Sequence, residues 1–149
     1  SEISFIVKDL KNKNKKIIFT NGCFDILHIG HVKYLEESKS FGDILILGLN
    51  SDDSVRRLKG ENRPINTEDD RAYILASIEA IDYVVIFDND TPFDLINLIQ
   101  PDILVKGADY EGKEIVGEDI AKEIKLVKFI DERSTTRTVA KIQKLKRNY

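Results

Sequence analysis

Short apolar segments alternate along this chain with longer segments of helical periodicity, and that alternation constrains its fold more than any other feature. Lys16 to Thr20, Asp43 to Leu49, Tyr83 to Phe87, Ile103 to Val105 and Ile124 to Ile130 read as strands. Between them, Ile29 to Ser40 reads as a helix, and Ser51 caps another through about Leu58. Lys59 to Asn66 carries Gly60 and Pro64 and reads as an irregular loop. Thr67 with Asp70 forms a capping box for a helix through about Ala80, with Ala72 and Leu75 on its inward side. Thr91 before Pro92 opens Phe93 to Gln100, Gly107 to Gly117 is loop-like, and Ser134 caps a last helix whose Lys141, Lys144, Lys146 and Arg147 suit its C-terminal dipole. Ahead of all this, Ile3, Ile6, Val7 and Leu10 recur at helical spacing before a basic stretch from Lys11 to Lys16. Apolar strands that alternate with helices argue for a parallel sheet covered on both faces. The expected architecture is a doubly wound α/β fold of about five strands.

A length of 149 residues favours one domain, expected over residues 16–149, with residues 1–15 as a leading helix and linker remnant. Hydrophobic residues at 42% and charged residues at 33% place the chain among folded globular domains rather than disordered ones. No apolar run approaches the roughly 18 residues of a membrane span, and the N-terminus lacks the apolar stretch of a signal peptide. The expectation is a cytoplasmic protein with no membrane partner. Cys23 is the single cysteine, which agrees with a reducing compartment. A net charge of -3 gives no broad basic footprint, so no nucleic-acid partner is expected, while a small anion needs only a local positive pocket. The chain begins at Ser1 and contains no methionine, which reads as a processed chain or a piece excised from a longer one.

In doubly wound sheets ligands bind beyond the carboxyl ends of the strands, where strand order reverses. The search therefore falls on Asn21 to His31, Asn50 to Asp52, Val105 to Tyr110 and Asp131 to Thr136. Both histidines lie in the first of these, as His28-Ile29-Gly30-His31 at a helix start. Unpaired N–H groups there attract phosphate, and Gly30 permits close approach. Two imidazoles at that spot could hold a triphosphate; equally, one could cap the helix while the other packs on Tyr34. A metal site is not expected, since only Asp25 offers a third ligand nearby. Neither a Gly-x-Gly-x-x-Gly nor a Gly-Lys-Ser/Thr follows the first strand, and no serine elbow is present. Transfer of a nucleotidyl group fits better, because an anionic acceptor needs positioning and charge stabilisation more than a general base. Arg56, Arg57, Lys59, Arg63, Arg71 and Lys106 supply cations, or a merely solvated surface. Helical spacing sets Arg71 opposite Ala72 and Leu75, free to reach phosphate. Ser134, Thr135 and Thr136, beside Arg133 and Arg137, offer hydroxyls and N–H groups to a β- or γ-phosphate, or an ordinary N-cap.

Together these segments resemble the HxGH nucleotidylyltransferase superfamily, and within it the nucleotidylyltransferase domains of the ADP-heptose synthase type. The resemblance runs from about Lys16 to Ile142. It rests on Thr-Asn-Gly-Cys-Phe-Asp (20–25), His-Ile-Gly-His (28–31), Asn-Ser-Asp (50–52), Arg-Leu-Lys-Gly (57–60), Arg63-Pro64, Arg71, Asp90-Thr91-Pro92, Val-Lys-Gly-Ala-Asp-Tyr (105–110) and Ser-Thr-Thr (134–136). It implies a Rossmann-like fold and transfer of AMP from ATP, with Mg2+, to D-glycero-β-D-manno-heptose 1-phosphate, giving ADP-heptose and pyrophosphate for lipopolysaccharide core assembly. It implies that His28, His31 and Lys59 are catalytic. Asn21, Gly22, Phe24, Asp25, Gly30, Arg71, Lys106, Gly107, Asp109, Ser134, Thr135 and Thr136 would bind the nucleotide, and Asp52, Arg63 and Tyr110 the acceptor. Glu132 stands where the family usually has glycine. The family also implies a homodimer and a sugar kinase domain, fused or separate. A glycerol-3-phosphate cytidylyltransferase and a non-catalytic nucleotide-binding module are the alternatives, the latter disfavoured by the presence of His28, His31 and Lys59 together.

Overall fold

The computed structural model of the chain describes residues 1–129 and 135–147, of Thr135 the backbone only. Five strands, β1 (Ile17–Gly22), β2 (Ile44–Asn50), β3 (Tyr83–Phe87), β4 (Ile103–Gly107) and β5 (Glu123–Val127), form one parallel sheet in the order β3-β2-β1-β4-β5. The helices are α1 (Glu2–Asn12), α2 (Ile29–Lys39), α3 (Asp52–Lys59), α4 (Glu68–Ala76), α5 (Phe93–Ile99) and α6 (Thr135–Lys146), with a 3-10 turn at Ala108–Tyr110.

Strand residues point alternately to the two faces, and each face has its own apolar layer. Ile18, Leu45, Leu47, Leu49, Ile103 and Val105 pack with Tyr34 and Leu35 of α2 and Leu75 of α4. Ile17, Phe19, Ile46 and Leu104 pack with Val7 and Leu10 of α1 and Leu95, Ile96 and Ile99 of α5. Helix α1, set apart in the sequence, thus shares a core with the sheet. Gly48 lets β2 pass the ring of Phe19, since a Cβ there would lie 2.7 Å from Phe19 Cζ.

Element boundaries differ from the sequence reading where tight turns intervene. Helix α4 stops at Ala76 rather than Ala80, because Ile78 and Ile81 bond back three residues in successive turns. Strand β4 continues to Gly107, held by its pairing with Val127, and β5 ends at that same pair. Pro92 is the N-cap of α5 rather than its first residue, and the Thr91 hydroxyl accepts from Phe93 N at 3.5 Å. The expected cap at Ser134 lies outside the described residues. No helix among them is long and apolar enough to cross a membrane. Strand order reverses at β1, flanked by β2 and β4, and the carboxyl ends of these three strands converge there.

Candidate active site

A cleft of about 460 Å3 opens at that reversal. Asn21, Gly22, Cys23, Phe24 and Asp25 line it from the end of β1 and the loop beyond, His31 from α2, Lys59 from the last turn of α3, and Lys106, Gly107, Asp109 and Tyr110 from β4 and the turn after it. Gly60 ends α3 at φ 101°, a conformation open to glycine. That stop leaves Lys59 at the cleft.

Both histidines are tied to the start of α2 by Nδ1. His28, the N-cap, accepts from Gly30 N at 3.1 Å, and His31 accepts from His28 N at 3.3 Å. A backbone N–H can only donate, so each Nδ1 keeps its lone pair and the proton of the neutral ring sits on Nε2. The rings lie 4.0 Å apart between centroids, and Phe24 lies 5.5 Å from His31. Burial, His28 and Lys59 together push the His31 pKa down to about 4. His31 is therefore a neutral donor near pH 7. The capping reading holds in part: Nδ1 of both rings serves the helix start, while the ring neighbours of His31 are His28 and Phe24, and Tyr34 stacks on Phe129. The expected phosphate grip by α2 amides changes accordingly, because the Gly30 N–H is engaged by His28 and the His31 N–H by the His28 carbonyl at 3.0 Å.

Arg71 departs most from expectation. It is 1% exposed, and its guanidinium donates to Asn66 O (3.0 Å), Cys23 O (2.8 Å), Asn50 O (2.9 Å) and Asp52 Oδ1 (2.9 Å). It is neither free to reach phosphate nor part of the cleft lining. The expected placement opposite Leu75 does not hold: Arg71 and Leu75, four residues apart, share the buried face of α4, and the loops after β1 and β2 fold over Arg71. Asp52, expected to meet the acceptor, is the partner of Arg71. Asp25 accepts from Ile65 N at 2.6 Å and Asn66 N at 3.0 Å, so the loop after β1 and the loop before α4 are clasped twice. Phe24 at φ 46° and Ile26 at φ 50° hold left-handed conformations within that clasped segment, strain that surrounding contacts must offset.

Lys106 is buried, donates to Asn21 Oδ1, and stands 5.6 Å from the Tyr110 ring centre. Burial lowers its pKa to about 8. Burial also raises the Cys23 thiol pKa, which disfavours a thiolate nucleophile. Gly30, His28, Arg63 and Thr136 are not among the cleft-lining residues, although Gly30 and His28 adjoin it through α2. Arg63 Nη1 is buried with no hydrogen-bond partner among the described residues. Ser134 lies outside those residues. The sequence reading missed Tyr34, Leu58, Glu114, Val116 and Phe129 as lining, and gave Asp90, Thr91 and Pro92 no role in the cleft. Asp90 is held by Arg57 Nε at 2.8 Å, which ties the loop after β3 to α3. Asp90, Thr91 and Pro92 form a motif of the resemblance, which assigns them no contact in the cleft. Among the described residues no group of three or more His, Cys, Asp or Glu is placed to hold a metal ion.

The cytidylyltransferase-like family model matches residues 19–148. The chain is 67% identical over 142 residues to the bifunctional protein HldE of Aliarcobacter butzleri, covering 95% of this chain and 30% of that one. It is 62% identical over 142 residues to the protein of the same name from a Nitratiruptor species, covering 95% and 31%. The chain thus spans under a third of the length of these curated relatives. Among solved structures it is similar to the lipopolysaccharide core biosynthesis protein from Thermoplasma volcanium, at TM-score 0.63 and 26% identity over 76% of this chain and 98% of that one. A pantoate-beta-alanine ligase from Francisella tularensis, at TM-score 0.56 and 17% identity over 84% and 64%, shares the fold.

Proposed function

The chain belongs to the cytidylyltransferase-like family, and from that membership we propose that it transfers AMP from ATP to a sugar 1-phosphate, D-glycero-β-D-manno-heptose 1-phosphate, forming ADP-heptose and pyrophosphate. A phosphate oxygen of the sugar attacks the α-phosphorus, the bond to the bridging oxygen breaks, and pyrophosphate leaves with the electron pair. The nucleophile is already anionic, so the residues must place it and stabilise charge rather than remove a proton. One observation carries the reading: His31, a neutral donor through Nε2, shares a cleft with Lys59 and Lys106. The Nε2–H of His31 would meet the oxygen on which charge develops, and the two lysines the phosphates around it. Magnesium would arrive with the ATP phosphates; Asp25 is committed to two backbone amides, and no residue of the described chain is assigned to the ion. Cytoplasmic location, a homodimer, and a sugar kinase domain or partner that supplies the sugar 1-phosphate belong to the same proposal.

Pyrophosphate release, measured with ATP and with CTP against a panel of sugar phosphates, tests it. Turnover with ATP and the heptose phosphate is expected. Clear preference for CTP, or turnover only with glycerol 3-phosphate, would overturn it.

A further inference from the structure

Behind one wall of the cleft a chain of contacts holds a single aromatic ring rigid at the surface. Thr20, wholly buried in β1, donates to Val105 O at 3.1 Å and shares a 2.8 Å hydrogen bond with the Tyr34 hydroxyl. Tyr34 is 3% exposed and stacks on Phe129, with ring centroids 4.5 Å apart and planes 10° from parallel. Gly107 completes the seat, since a Cβ there would come within 2.7 Å of Phe129 Cε2. Phe129 is thus fixed on one face and along one edge, yet 39% of it stays exposed and it lines the cleft. A large apolar ring held immobile but half uncovered gains most from a flat partner, and stacking on it costs little ordering because the ring is already fixed. Tyr110, equally exposed at 39%, lines the same cleft near Lys106.

Resting on the nucleotidyl-transfer reading, we propose that Phe129 is the stacking platform for the nucleobase of the donor nucleotide. The base lies against the open face of Phe129, and the phosphates run from there toward His31 and Lys59. This makes the ring a binding determinant for the base and gives it no contact with the phosphates.

The test compares a ligand with a base and one without. Calorimetry on wild type and Phe129→Ala, with ATP and with inorganic tripolyphosphate, is expected to give an ATP Kd about tenfold or more weaker in the variant, with tripolyphosphate within about twofold. Phe129→Leu, which keeps apolar volume without a ring, carries the same comparison if the alanine variant fails to fold. The chain contains no tryptophan, so Phe129→Trp supplies a single reporter. Its fluorescence should be quenched by ATP and unmoved by tripolyphosphate. Equal weakening of both ligands, an unchanged ATP Kd, or an unresponsive tryptophan would overturn the platform and leave the transfer reading standing. A wild-type protein that binds neither ligand would overturn both.

Discussion

His31 does two things with one ring. Nδ1 is spent on the backbone at the start of α2, which fixes the tautomer and leaves Nε2–H as the donor. If that donor acts on charge developing at the α-phosphorus, His31→Asn should lower kcat by at least about tenfold with a smaller change in ATP Kd. Normal turnover with a lowered melting temperature would return the residue to a capping role. The folded pKa of about 4 lies below the ordinary 6.5, so between those values the unfolded chain binds the extra proton. Stability contributed by neutral His31 is complete above about pH 6.5 and is lost as pH falls toward 4. Melting temperature should therefore drop less on going from pH 7 to pH 5 in His31→Asn than in wild type. Lys106 works in the other direction. With its pKa near 8, phosphate beside it favours the charged form, so nucleotide binding near pH 8.5 should take up a proton. Calorimetry in buffers of different ionisation enthalpy reads that uptake, and Lys106→Met should abolish it. Arg71→Ala leaves the Asp52 carboxylate and three carbonyls without their donor, and is expected to cost about 3 kcal/mol of stability in urea titration. A fully stable Arg71→Ala protein with reduced nucleotide affinity would restore the phosphate role that its buried position argues against.

At the scale of elements, strand identity and capping were legible because they are local. Apolar runs, Ser51 bonding Ser54 N at 3.1 Å, and Thr67 bonding Asp70 N at 3.4 Å all depend on neighbours within a few positions. What the pattern cannot carry is contact between elements. Arg71 was legible as a cation of α4, but its expected outward placement fails: it shares the buried face with Leu75, under loops that come from residues 19 to 48 positions earlier. Gly48 makes the same point. In sequence it interrupts an apolar run; in the sheet it faces Phe19, which is 0% exposed and cannot retreat. Gly48→Ala is expected to destabilise the fold by about 1–3 kcal/mol in chemical denaturation, with the nucleotide cleft intact if the protein folds.

For the whole molecule, α1 closes the apolar layer on the α5 side through Val7 and Leu10. Deleting residues 1–12 should lower the melting temperature by roughly 5 °C or more, because those side chains leave the core they share with Ile99 and Ile17. The alternation of apolar and helical segments by itself determined the doubly wound class, the parallel sheet, and the end of the sheet where ligands belong, since handedness and crossover rules leave few other ways to bury such strands. The motif residues Asn21, His31, Lys59, Lys106 and Asp109 were legible too, and the fold brings them to one cleft. Only the tertiary structure decided which of the marked residues are spent inside the protein: Arg71, Asp52 and Asp25 bind backbone and each other, while Phe129, unmarked in sequence, stands half exposed on a fixed seat. Charge and periodicity are properties of a residue and its neighbours in the chain. Whether a charge meets a ligand or a carbonyl depends on loops that arrive from distant positions, and those become neighbours only when the sheet closes.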